Sequence, residues 1–288
     1  MTDLALNSEQ DALGESKIRV AVVTGGGHGI GRALCRRLKN EAGKVVVADI
    51  DGTAADVVAN EIDGVGKALD VSDEQAIVAV VEDVEANHGP IDLFISNAGV
   101  GFGDGDSGAI SAEGGVNASE DRWDACWKIN VMAHVYAARA LVPRMLERGG
   151  GHLVNTASAA GLLSQIGDSA YTATKHAAVA FAESLAIDYG DDGIRVSVVC
   201  PQAVATRMIG IEDDSDSMEG GFLGNDVDGI MRPEAVADII VSEALAGHFL
   251  ILTHPEVATY VQRKASDHDR WINGMQRFRR KMTEGKVN

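Results

Sequence analysis

Tyr171 and Lys175 stand four residues apart in a stretch, Ser169–Tyr189, whose apolar pattern is helical. That spacing places both side chains on one face, and a phenol beside an ammonium is an acid/base pair. A free tyrosine has a pKa near 10, too high for efficient proton transfer at neutrality. A neighbouring positive charge favours the phenolate and lowers that value toward the working range. With four tyrosines in the chain, a Tyr-x-x-x-Lys spacing arises by chance in roughly one chain in five, so the pair depends on its surroundings. Ser158 lies thirteen positions earlier, just past an apolar run at His152–Thr156. Its hydroxyl can hold a substrate oxygen next to the phenol, although a lone loop serine more often bonds backbone.

A second group of residues has the chemistry of a nucleotide site. The run Thr24-Gly25-Gly26-Gly27-His28-Gly29-Ile30-Gly31 follows an apolar strand pattern and opens a helical one. Glycines permit a tight turn and let backbone N–H groups approach a diphosphate, while the helix N-terminus favours negative charge. The strict G-x-G-x-x-G fingerprint fits in no register; the spacing is G-x-x-x-G-x-G at Gly25, Gly29 and Gly31. Asp49 comes 18 residues after Gly31, at the end of the next apolar run. A carboxylate there accepts hydrogen bonds from an adenosine ribose and repels a 2′-phosphate. Ile50 and Asp51 follow it, with no arginine, so the pattern favours NAD over NADP. A protonated His28 would weaken that preference, and the plain alternative is that Asp49 starts a turn.

These groups need a scaffold, and the pattern supplies one. Short runs rich in Val, Ile and Ala at Arg19–Thr24, Lys44–Ala48, Lys67–Leu69, Ile91–Ser96, His152–Thr156, Arg195–Cys200 and Phe249–Leu252 read as strands. Nearly continuous apolar strands are what a parallel sheet covered on both faces requires. Helical patterns over Gly31–Asn40, Ala54–Glu61, Asp73–Asn87, Glu120–Arg148, Ser169–Tyr189 and Pro233–Ala246 alternate with them. The expected fold is α/β, a Rossmann-type doubly wound parallel sheet of about seven strands with helices on both faces, in a single domain. Residues 1–16 read as a loose polar tail, 17–254 as the α/β domain, and 255–288 as a helical extension rich in Arg and Lys. Two long loops, Gly99–Asn117 and roughly 206–232, exceed what a bare scaffold needs; the second reads as a substrate lid.

Composition narrows the partners. The net charge of −18 argues against nucleic acid, whose phosphates demand a basic footprint. Cys35, Cys126 and Cys200 form no CxxC motif and read as reduced thiols of a cytosolic protein. The chain lacks a long apolar run and a signal-like N-terminus, which argues against a membrane or secretory address. Its eight histidines form no HExxH or Cys/His cluster, so no metal is expected.

Taken in order, the segments TGGGHGIG, Asp49, Asp70-Val71, Ser96-Asn97-Ala98-Gly99, Asn130 in KINVMA, Ser158 in NTASAAG, YTATK at 171–175 and CPQAVAT at 200–206 resemble the classical short-chain dehydrogenase/reductase family. The resemblance spans about residues 18 to 253. It implies that Tyr171 exchanges a proton with the substrate oxygen and that Lys175 lowers its pKa and holds the nicotinamide ribose. Ser158 would orient the carbonyl or carbinol, and Asn130 would help hold a water chain from Lys175 to solvent. Gly25, His28, Gly29, Ile30 and Gly31 would line the diphosphate site, Asp70 and Val71 would border the adenine, and Asn97, Ala98 and Gly99 would line the cofactor cleft. Pro201, Val204 and Thr206 would flank the nicotinamide. Two residues depart from the family pattern: Gln202 replaces the usual glycine after the proline, and Ser96 replaces a commoner asparagine.

The implied reaction is hydride transfer between a secondary alcohol or ketone and NAD, in a homotetramer or homodimer. Leu162, Leu163, Gln165, Gln202, Met208 and Phe222 fall in segments expected to face the pocket, which suggests a mostly apolar, cyclic or steroid-like small molecule. Trp271, Met275, Phe278 and Met282 place one apolar stripe on a basic C-terminal helix. It would cover its own subunit, contact a neighbour or roof the pocket. The competing readings are an NADP-dependent ketone reductase with the same residues and a non-catalytic dinucleotide-binding redox sensor or scaffold.

Overall fold

The computed structural model describes residues 18–102, 117–213 and 229–284. The polar tail at 1–16, most of both long loops and Phe222 lie outside the described residues. Seven parallel strands form one sheet in the order β3-β2-β1-β4-β5-β6-β7. They are β1 (Ile18–Thr24), β2 (Ala42–Asp49), β3 (Val65–Ala68), β4 (Ile91–Ser96), β5 (Gly151–Thr156), β6 (Ile194–Val199) and β7 (Leu250–Ile251). The central strands are buried along nearly their whole length, which is why they carry apolar residues at successive positions and not at alternate ones.

Helices cover both faces. On one side α1 (Gly29–Leu38), α2 (Gly52–Ile62) and α7 (Pro233–Leu245) pack Leu34, Val58 and Ile240 against Val23, Val47 and Ile95. On the other, α3 (Glu74–His88), α5 (Ala133–Glu147) and α6 (Ser169–Tyr189) pack Ile77, Leu141 and Ala178 against Val22, Phe94 and Val198. The result is a three-layer, doubly wound Rossmann-type domain. Asp73 caps α3 by accepting the Gln75 N–H, as its place before an apolar run foretells. After α5, Gly149 and Gly150 adopt positive φ and turn the chain into β5. No helix among the described residues is long and apolar enough to cross a membrane.

Two elements differ from expectation. The helix expected to run unbroken over Glu120–Arg148 is α4 (Glu120–Trp127) joined to α5 through a π-helical turn at Lys128–Met132, where the Ala133 N–H reaches back to the Lys128 carbonyl. Such turns insert one extra residue without ending the helix and often sit at functional sites, and hydrophobic periodicity does not register them. The C-terminal extension is also two helices, α8 (Glu256–Ser266) and α9 (His268–Glu284), broken at Asp267. Val257, Tyr260, Val261 and Trp271 pack onto Ala159 and Leu163 of the same chain.

Two buried histidines impose an acid limit on this core. His134 of α5 and His152 of β5 are each 2% exposed. Burial, reinforced by Lys175 and Arg195 respectively, pulls them from 6.5 to about 3 and about 4. Both His134 ring nitrogens are buried without a well-formed hydrogen bond, and the Asn130 carbonyl offsets this only in part. The unfolded chain takes up these protons near pH 6.5 and the folded chain does not. Their stabilising effect is therefore complete above that pH and is lost as pH falls toward 4 and then 3. The urea midpoint is expected to drop steeply between pH 6.5 and 4, and His134→Leu to flatten the drop. An unchanged pH slope in the variant would assign the acid sensitivity to other groups.

Candidate active site

Helix α6 starts where Asp168 caps it. Asp168 Oδ1 accepts the Tyr171 N–H at 2.9 Å, and its Oδ2 accepts the Phe102 N–H at 3.0 Å. One buried carboxylate thus fastens the first turn of α6 to the loop leaving β4. The first turns of α6 then bring Tyr171 and Lys175 to the end of β5, where Ser158 begins a short 3₁₀ turn. The Tyr171 phenol lies beside the Ser158 hydroxyl, which favours its phenolate form. Ser158 Oγ also accepts the Ala160 N–H at 3.1 Å and reaches the Pro201 carbonyl at 3.4 Å. Lys175 is buried; its Nζ donates to the Thr156 carbonyl at 3.0 Å and lies 5.5 Å from the centre of the Tyr171 ring.

Burial pushes the Tyr171 phenol up to about 12; the neighbouring Ser158 hydroxyl pulls the other way, and Asp168 adds to the rise. Burial also draws Lys175 down to about 8. Burial thus outweighs the lowering of the Tyr171 pKa expected from Lys175. Desolvation opposes the phenolate, while Lys175 at about 8 still carries its charge at neutrality.

Asn130 stands behind the cleft wall, fully buried in the π-helical turn. Its Oδ1 accepts the Val100 N–H at 2.9 Å, and its Nδ2 donates to the Val100 carbonyl at 2.8 Å and to Thr174 Oγ1 at 3.2 Å. The side-chain amide therefore replaces a strand partner for Val100, just past β4, and ties it to α6. A Cβ at Gly99 would come within 3.2 Å of both Asn130 Oδ1 and Lys175 Nζ, so the bare glycine is what lets the two approach from either side.

Every residue named for the cofactor lines one open cleft of about 340 Å³ at the carboxyl ends of the strands. Gly25, His28, Gly29, Ile30 and Gly31 come from the loop after β1, Asp49 from the end of β2, and Asp70 and Val71 from the segment after β3. Asn97, Ala98 and Gly99 follow β4, Pro201, Val204 and Thr206 follow β6, and Ser158, Tyr171 and Lys175 complete the wall. The cleft opens where β1 and β4 lie side by side although their connections run to opposite faces, the switch point at which open α/β sheets bind ligands.

The site's backbone suits a dinucleotide. Gly25 has a φ of +64°, and a Cβ at Gly31 would lie 1.9 Å from the Gly25 carbonyl oxygen, so the loop folds back on itself as only glycine allows. Asp49 accepts the Gly27 N–H at 2.9 Å and the Asp51 N–H at 3.0 Å. These bonds fix its carboxylate at the cleft wall with acceptor capacity to spare. His28 is bound to Asp213 at 2.9 Å and to Arg207 at 3.3 Å, and Asp213 also accepts the Gly29 N–H at 3.1 Å.

Of the residues expected to face the substrate, Gln202 and Met208 line the cleft, whereas Leu162, Leu163 and Gln165 do not. Leu162 and Leu163 pack instead against the C-terminal helices, because α8 offers their apolar surface a dry partner. Sequence reasoning also missed Asp168, Thr174 and Thr156. Asp168 had a legible signal, an acidic residue just before a helical run; the other two act through a hydroxyl and a backbone carbonyl that no motif marks.

Fold and site together define a Rossmann-type α/β protein whose strand-end cleft carries a Ser–Tyr–Lys set on one wall. The profile of the short chain dehydrogenase family matches residues 19–216, and the chain belongs to that family of oxidoreductases. It is 39% identical over 197 residues to 1-deoxy-11-beta-hydroxypentalenate dehydrogenase of Streptomyces exfoliatus, a match covering 66% of this chain and 69% of that protein. It is 30% identical over 231 residues to cyclohexanol dehydrogenase of an Acinetobacter species, covering 77% and 86%. Among solved structures, a short chain dehydrogenase/reductase from Burkholderia phymatum in complex with NAD superimposes with a TM-score of 0.74 at 28% identity, covering 89% of this chain and 96% of that one.

Proposed function

We propose that this protein is an NAD-dependent oxidoreductase that interconverts a mainly apolar, cyclic secondary alcohol and its ketone. The observation that carries this reading is the convergence of Ser158, Tyr171 and Lys175 on the wall of one cleft that also holds Asp49. Bound NAD would accept the hydride from the carbinol carbon, or NADH return it to the carbonyl carbon. Tyr171 Oη takes the hydroxyl proton in oxidation and gives it back in reduction. The Ser158 hydroxyl orients the substrate oxygen against that phenol, and Lys175, anchored on the Thr156 carbonyl, sits where a ribose hydroxyl can meet its ammonium. Asn130 is a positioning residue, since it holds Val100 and thereby the cleft wall after β4. An apolar substrate suits the hydrocarbon of Val100, Ile129, Met208 and Ile209 in the lining. Similarity to enzymes named for cyclohexanol and hydroxypentalenate points the same way.

Asp49 tests the cofactor half. NAD(H) and NADP(H) compared on a panel of secondary alcohols and ketones are expected to show a clear preference for NAD(H). Asp49→Asn, which keeps the side chain's shape and removes its charge, is expected to shift the kcat/KM ratio toward NADP by about a hundredfold, since like charges in a site cost several kcal/mol. A wild-type enzyme that prefers NADP, or a ratio unmoved by the substitution, overturns the NAD assignment.

A further inference from the structure

Lys264 lies on α8, outside the cleft, yet its ammonium reaches two segments that carry the candidate catalytic groups. Nζ donates to the Leu162 carbonyl at 2.8 Å and to the Leu163 carbonyl at 3.0 Å, in the turn that begins at Ser158. It also contacts His176 Nε2 at 3.4 Å, one residue past Lys175 on α6. The His176 tautomer follows from its other nitrogen. Nδ1 lies 2.9 Å from the Thr172 carbonyl, which can only accept, so Nδ1 carries the proton and Nε2 is left to accept from Lys264. All three ammonium donors thus have a partner. The turn is clamped from both sides: a Cβ at Gly161 would stand 2.4 Å from the Lys175 carbonyl oxygen on α6, and Val257 of α8 packs on Ala159 and Leu163.

We propose that Lys264 is a positioning residue that sets the separation of the Ser158 turn from the helix bearing Tyr171 and Lys175, so that the C-terminal extension is part of the active-site framework. The proposal rests on the alcohol/ketone reading only for its kinetic readout. Backbone carbonyls at the end of a 3₁₀ turn have no strand or helix partner of their own; the Lys264 ammonium supplies one to Leu162 and joins the Ser164 hydroxyl, itself donating at 2.6 Å, on the Leu163 carbonyl. Its loss leaves the turn, and Ser158 Oγ with it, free to drift from the phenol. A misplacement of about 1 Å at a reacting centre lowers the rate by up to about a hundredfold.

The test is Lys264→Cys in the full-length chain, before and after alkylation with 2-bromoethylamine, which rebuilds an ammonium on a stem of nearly the same length. The native cysteines Cys35, Cys126 and Cys200 are buried, so the new thiol is the one that reacts; wild type and Gln262→Cys, an exposed neighbour on α8, receive the same treatment as controls. Two quantities are followed: kcat and KM for a secondary alcohol, and amide hydrogen exchange over residues 158–163. The expected result is a kcat lowered about ten- to a hundredfold, faster exchange over 158–163 and unchanged NAD affinity, with both losses reversed by alkylation. A Lys264→Cys protein with wild-type kcat, or losses that alkylation leaves in place, overturns the proposal. If wild type turns over no alcohol, the functional reading fails by itself; exchange that rises in the variant and falls on alkylation then sustains the tether, and exchange that does not change refutes it.

Discussion

Tyr171→Phe is expected to lower kcat by about 10³-fold or more, with NAD(H) affinity and thermal stability nearly unchanged. The substitution removes one oxygen and keeps the ring, so packing around the half-buried side chain is preserved. Ser158 keeps its bonds to the Ala160 N–H and the Pro201 carbonyl and is not left as an orphaned buried hydroxyl. What disappears is the group that exchanges the proton, and a positioned acid/base contributes about 10²- to 10⁴-fold. The pH profile sharpens the test. With the phenol pushed up to about 12 by burial, Tyr171 is protonated at neutrality and ready to donate, whereas alcohol oxidation needs the phenolate. Oxidation by the wild type is therefore expected to rise with pH above neutrality while ketone reduction does not. Ser158→Ala removes the hydroxyl that favours the phenolate and is expected to move the rise to higher pH. Steady-state kinetics in both directions from pH 6 to 10 check this; substantial turnover by Tyr171→Phe, or oxidation that peaks near pH 6, removes Tyr171 from its assigned role.

Gly31→Ala is expected to be the most damaging glycine-to-alanine change among the described residues. Its Cβ would lie 1.9 Å from the Gly25 carbonyl oxygen, 2.7 Å from the Gly25 carbonyl carbon and 2.8 Å from Asn97 Nδ2. Two of those atoms belong to the Gly25 backbone, so no rotamer change relieves the clash, and the start of α1 must move away from Gly25 and from the Asn97 amide after β4. Asn97 Nδ2 also donates to the Thr24 carbonyl at 3.1 Å, so the displacement strains the tie between β1 and β4 at the mouth of the cleft. Overpacking of this kind costs about 3 kcal/mol or more. The expected outcome is a melting temperature lower by several degrees and loss of measurable NAD binding. Gly190→Ala is the matched control: Gly190 has helical φ and ψ of −61° and −41°, and nothing lies within 4 Å of where its Cβ would go. Alanine there is expected to be neutral or to stabilise by about 0.5 kcal/mol through the unfolded state. Equal behaviour of the two variants in calorimetry and NAD titration would refute the steric account of the glycine loop.

Much of the scaffold was legible in the residues alone because its signals are local. Six of the seven strands announce themselves as contiguous apolar runs, while the half-exposed β3, Val-Gly-Lys-Ala, shows only weakly; a chain that alternates such runs with helical periodicity has little choice but a doubly wound sheet. The cleft followed from the same logic. Glycines after β1, an acid at the end of β2 and short polar motifs after β4, β5 and β6 all sit at carboxyl ends of parallel strands, and parallel strands bring those ends to one edge. The residues named for the cofactor therefore line a single cleft, although they span Gly25 to Thr206.

What tertiary structure alone decided are quantities that no neighbour in the chain encodes. The π-helical turn at Lys128–Met132 leaves the apolar pattern of its helix intact while turning Asn130 onto Val100, 30 positions away. Leu162 and Leu163 look like pocket residues until α8 packs onto them, and the Lys264 tether joins groups 88 to 102 positions apart. The sign of the Tyr171 shift is of the same kind. A lysine four residues on predicts a lowered pKa, but desolvation depends on everything packed around the phenol, and here it prevails. Local sequence dictates which elements form and which residues their loops offer. The depth at which those residues end up, and the distant groups they meet there, are properties of the packed chain, because burial and long-range contact arise only once the whole core has assembled.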